Sequence, residues 1–70
     1  MERKKVDSSM ISSIGFDSEN LVLEIEFNSG AVWQYLDFPE SLWSEFKNTD
    51  SHGKFFHREI KDQYQEVKIR

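Results

Sequence analysis

Lys54, His57, Arg58 and Lys61 bring four potentially cationic side chains into one short stretch near the end of the chain. On a helical wheel of about 100° per residue with Lys54 at zero, they gather near roughly 350°. Phe56, Ile60, Tyr64 and Val67 fall in a sector centred at roughly 235°, the apolar stripe of an amphipathic helix, and Glu59, Asp62 and Glu66 lie near roughly 110°. The formal net charge of the chain is -4. Cellular salt screens charges beyond about 8 Å, so a local basic stripe can still present a positive field, and the net charge does not forbid an anionic ligand. The plainer alternative is a solvated face whose charges serve solubility. Phe55 lies near roughly 100°, off the apolar stripe, so it is either covered by another element or exposed, and an exposed ring there would be a stacking platform for a base.

Other chemistries fare worse. With no cysteine in 70 residues, thiolate metal sites, iron-sulfur clusters, disulfides and cysteine nucleophiles are excluded. His52 and His57 are five apart, so they do not share a helical face as zinc ligands would. Ser8, Ser9, Ser12 and Ser13 lack the glycines of a nucleophile elbow and read as surface or turn hydroxyls. The glycines at 15, 30 and 53 are too scattered to cradle a phosphate. No carboxylate pair is patterned for burial, which a raised general-acid pKa needs. A chain this short buries only about 60% of its unfolded surface, which leaves little stability for deep pockets or a supported catalytic shell. The reading is non-catalytic, with no cofactor and no metal.

The elements that must position these residues follow from pattern. Met1 to Lys5 are expected to be disordered in solvent, with one domain over residues 6–70. No apolar run approaches a membrane span. The basic start continues into Val6-Asp7-Ser8-Ser9 and not into an apolar leader, so the expected location is cytoplasmic. A strand from Ile11 to Asp17 turns through Ser18, Glu19 and Asn20. In Leu21 to Phe27 the odd positions are apolar while Glu24 and Glu26 point the other way, a strand with one wet face. Asn28-Ser29-Gly30 then closes a hairpin, with glycine at the left-handed position. In the third strand, Ala31 to Asp37, Trp33 and Tyr35 share one face. They could stack single-stranded bases, but a small core needs its large rings, so they read as structural.

Pro39 suits a first helical position, with Asp37 or Phe38 as cap, for a helix from about Pro39 to Asn48. Ser51 caps a second helix running through about Gln63. The tail from Gln65 to Arg70 alternates, but Val67 also fits a continued helix, and both assignments stay open.

Ser8-Ser9, Ile11, Ile14-Gly15-Phe16-Asp17, the hairpin with Gly30, Trp33-Gln34-Tyr35 with Phe38-Pro39, and Ser51-His52-Gly53-Lys54-Phe55-Phe56 with Ile60 follow one another along nearly the whole chain. Together they resemble the KTSC domain family. That family is named for a domain at the C-terminus of some lysyl-tRNA synthetases, also occurs as small stand-alone bacterial proteins, and carries a central Tyr-x-Tyr. Trp33 stands where the first of those tyrosines would be, Phe16 where the family usually has tyrosine, and His57 where asparagine is expected. The resemblance implies no established activity, and the synthetase association points to RNA.

The expected fold is α+β, a three-stranded antiparallel meander with a fourth strand left open for the tail, covered on one face by two helices. The expected core is Ile11, Ile14, Leu23, Ile25, Phe27, Trp33, Tyr35, Leu42, Phe46, Phe56 and Ile60. The expected function is a small interaction module that binds RNA through Lys54, Phe55, His57, Arg58 and Lys61. The alternative is protein-protein recognition or self-association through an exposed sheet edge.

Overall fold

The computed structural model describes residues 1–70. Five strands form one antiparallel sheet in sequence order: β1 (Arg3–Lys5), β2 (Ile11–Asp17), β3 (Val22–Phe27), β4 (Val32–Tyr35) and β5 (Glu66–Lys68). Helices α1 (Glu40–Lys47) and α2 (His52–Phe55) lie between β4 and β5, and a π turn (Phe56–Ile60) continues α2.

Register explains which face is buried. Residues directly opposite one another on paired strands point to the same side. Ile14, Ile25 and Trp33 make one cross-strand row, and Phe16, Leu23 and Tyr35 make the next. Against these rows pack Phe38, Phe46, Phe55, Phe56 and Ile60, closing the core. The opposite face is polar. There Gln34 donates to Glu24 at 2.9 Å and the Ser13 hydroxyl to Glu26 at 2.9 Å, while Arg3 and Arg70 pair with Glu24 and Glu26 at 3.4 and 3.0 Å. The Ser13 bond favours the ionised carboxylate and lowers the Glu26 pKa, helped by Arg3 and Arg70 against partial desolvation.

Two turns follow their sequence signals. Asp17 accepts from the amides of Glu19 and Asn20 at 3.0 and 3.2 Å, and Gly30 closes the β3–β4 hairpin at φ 96°. Other expectations are corrected. The sheet has five strands, not three or four. Arg3 to Lys5, expected to be disordered, form an edge strand because ladder pairing is a backbone affair that needs no apolar alternation. The tail resolves as strand β5.

Asp37 does not cap α1. It adopts φ 55° and turns the chain, leaving Pro39 as an extended N-cap with no side-chain bond. The second helical segment ends at Ile60 and not near Gln63, since Lys61 returns to extended backbone and Asp62 turns at φ 63°. Phe27, Trp33 and Leu42 are only partly buried around the core, whereas Phe38 and Phe55 are wholly inside it. Val32 is also buried, though outside that cluster.

Candidate functional site

The largest concavity is an open cleft of about 760 Å³ walled by residues 7–10 on one side and by residues 50–54 with His57 and Arg58 on the other. The first wall is the link from β1 to β2. The Ser8 hydroxyl accepts from the amides of Met10 and Ile11, both at 3.2 Å, which curls the link back on itself. Asn28 then ties it to the β3–β4 hairpin: its side chain donates to the Ser8 carbonyl at 3.1 Å and its amide to the Met10 carbonyl at 2.9 Å.

The second wall begins at Ser51, whose hydroxyl accepts from the Lys54 amide at 3.4 Å and caps α2 as its residue type implies. Beyond α2 the Lys61 amide reaches back to the Phe56 carbonyl at 2.8 Å, an i to i+5 bond that widens the helix into the π turn. Phe55 and Phe56 both enter the core, Phe55 against Phe46 of α1 at 5.1 Å and Phe56 against Phe27 and Tyr35 of the sheet at 5.4 and 5.9 Å. His57 and Arg58 are left on the outside.

Of the five residues read from sequence as an RNA surface, three meet at the cleft: Lys54, His57 and Arg58. Phe55 does not join them. Its ring is 3% exposed and covered by the Arg58 guanidinium 5.4 Å from its centroid, so it offers no platform to a base. Lys61 is exposed but lies beyond the cleft, where the π turn ends. The charge is also more mixed than a stripe. Arg58 pairs with Glu59 at 2.8 Å, and Asp7 and Asp50 line the cleft.

Sequence reasoning missed His52 in this setting. Its ring meets Phe46 edge-on at 5.4 Å, and its Nε2 is buried without a hydrogen-bond partner. Burial, and then Lys4, push its pKa down, so it is neutral near pH 7. Ser8 and Ser9 are turn residues as expected, and they also line the cleft. Of the two motif aromatics, Tyr35 is 2% exposed in the core and Trp33 packs at its margin. Burial raises the Tyr35 pKa, and Glu66 adds to it. No three His, Asp or Glu side chains stand together as a metal cluster, and no helix is long and apolar enough to cross a membrane.

The KTSC domain model matches residues 7–64. This chain belongs to the KTSC domain family. The crystal structure of a KTSC domain protein from Yersinia pestis superimposes with a TM-score of 0.95 at 40% identity, covering 99% of this chain and 97% of that one. An uncharacterized protein from Stutzerimonas stutzeri is 36% identical over 64 residues, 91% of this chain and 90% of the relative. A lysine-tRNA ligase from Trichormus variabilis is 33% identical over 60 residues, which are 86% of this chain but only 11% of the ligase. Both walls of the cleft fall inside the matched KTSC residues, whereas the edge strands β1 and β5 fall outside them.

Proposed function

We propose that this KTSC domain is a small non-catalytic binding module that takes a short segment of RNA along the cleft. The observation that carries the reading is the meeting of exposed Lys54, His57 and Arg58 on one wall of the only large concavity. Two cations and an added histidine suit a few phosphates, while Asp7 and Asp50 disfavour a long run of backbone charge. A related segment forms part of a lysine-tRNA ligase, an enzyme named for tRNA, which supports RNA over other anions by analogy. The non-catalytic part of the reading rests on the serines. Ser8, Ser9 and Ser51 line the cleft, the Ser8 and Ser51 hydroxyls accept from backbone amides, and none of the three is hydrogen-bonded to a histidine that could activate it.

The test is a fluorescence titration of short RNA oligonucleotides at several salt concentrations, with Lys54→Glu plus Arg58→Glu as the variant. Wild-type protein binds with a salt dependence. The variant loses that binding or, where binding at low salt is still measurable, shows a logarithmic salt slope lower by about 1.4, since each lost cation would have met one phosphate of a single strand. Losing the exposed Arg58 guanidinium over Phe55 and its pair with Glu59 costs about 1 kcal/mol or less, so the variant should stay folded, which its melting curve verifies. Equal binding by the two proteins would remove the proposal.

A further inference from the structure

We infer that β5 is a self-complementary edge through which two copies of this chain pair antiparallel about a two-fold axis at Val67. Every residue from 65 to 70 is exposed, and Val67 and Ile69 keep 41% and 53% of their surface in solvent. The Leu36 amide donates to the Gln65 carbonyl and the Ile69 amide to the Val32 carbonyl, so residues 65 and 69 spend their backbone groups on β4. Alternation along an antiparallel ladder then aims the N–H and C=O groups of Glu66 and Lys68 away from the sheet. Those outward groups are a template for one more strand.

The side chains select both the partner and the register. With the axis at Val67, Glu66 lies opposite the second copy's Lys68 and Lys68 opposite its Glu66, while the two valines meet side by side. Glu66 and Lys68 face the same side of the sheet as Tyr35 and Trp33, so each opposite-charge pair forms on one face. A slip of two residues one way would set Glu66 against Glu66, and the other way would set Lys68 against Lys68 with Glu66 facing an Arg70 that Glu26 already holds, so like charges meet at the axis without a free counter-charge beside them. The other edge is built the opposite way. β1 is Arg3-Lys4-Lys5, and pairing it with itself would bring cation against cation. The resulting contact is isologous and closes at two subunits. It involves no residue of the cleft, so it stands or falls apart from RNA binding.

Light-scattering mass of the full chain, from micromolar to millimolar concentration, tests this. Wild-type protein should pass from monomer to dimer. Lys68→Glu and Glu66→Lys, each of which turns two attractive pairs into two repulsive ones, should each weaken the dimer by about tenfold or more. The double variant Glu66→Lys plus Lys68→Glu restores the pairing and should restore the dimer. Neither side chain belongs to an ion pair within the chain, and a melting curve for each variant verifies folding. A monomer throughout, a dimer indifferent to the single reversals, or a mass that grows past two as a head-to-tail β1-to-β5 chain would each overturn the inference.

Discussion

Adding one methyl group at Gly15 should detach β1 and leave the cleft standing. Gly15 lies opposite Arg3, and a Cβ built there would sit 2.5 Å from the Glu2 carbonyl oxygen and 3.0 Å from Arg3 Cγ. Ordinary contact begins at 3.4 Å, so the Glu2 backbone must retreat by roughly an ångström, more than a paired strand can give. The cost of Gly15→Ala is capped by the cost of letting β1 go. Each lost backbone hydrogen bond is worth about 0.5 to 1.5 kcal/mol net, and about two such bonds set the scale. The loss is then about 1 to 3 kcal/mol, and at roughly 4 to 8 °C per kcal/mol the melting temperature falls by roughly 5 to 20 °C.

Amide exchange locates the change. The β1 amides should lose protection, whereas residues 10 and 11 keep theirs because their bonds run to Ser8 and not to β1. Gly53→Ala is the control. Its added Cβ meets nothing closer than 3.7 Å, and alanine in a helical turn stabilises by up to about 1 kcal/mol. Unchanged melting with a protected β1, or global unfolding of Gly15→Ala, would refute this account.

Phe55→Ala should cost about 3 to 5 kcal/mol, most of what a domain of this size holds, because the ring is buried against Phe46. Urea unfolding decides it: a loss under about 1 kcal/mol would mean that Phe55 is peripheral and not covered by α1. His52 should make the protein acid-sensitive. Its folded pKa lies below the ordinary 6.5, so below that value the unfolded chain takes up its proton first. The stabilisation is complete above pH 6.5 and is lost as pH falls toward the folded pKa. His52→Gln should flatten that part of the melting-temperature profile, and a profile parallel to wild type would count against the assignment.

What could be read from the sequence was what period and turn chemistry encode. β2 occupies Ile11–Asp17 as the pattern implies, β3 follows its apolar alternation, and Gly30 sits at the positive φ its turn needs. β1 carried no such signal, since three adjacent cations have no period and are held by a neighbour's ladder. The tail was ambiguous because three residues of alternation also fit a helical face. At the cleft, Lys54, His57 and Arg58 lie close in sequence and could be grouped. Their opposing wall at residues 7–10 is distant in sequence and arrives through the Asn28 bonds. Phe55 was misplaced because a wheel with one apolar stripe does not show a second covering surface, which α1 supplies here through Phe46.

The π turn also decides how freely the cations of the cleft can vary. Consecutive residues of an α-helix diverge by about 100°, so burying both Phe55 and Phe56 requires the segment to be wedged between two surfaces. It is: Phe55 packs on α1 through Phe46, and Phe56 packs on the sheet through Phe27 and Tyr35. A π turn has poorer intrinsic geometry than an α turn and persists where its surroundings over-determine it. Here the two aromatic contacts supply that constraint, and the Arg58 guanidinium lies back across the Phe55 ring. The directions of His57 and Arg58 are therefore set from beneath by core packing. Charge reversal at Lys54 or Arg58 changes the field in the cleft while leaving that packing intact. Truncation of Phe55 removes the surface on which Arg58 rests, so it should disturb the cleft even though no atom of Phe55 lines it.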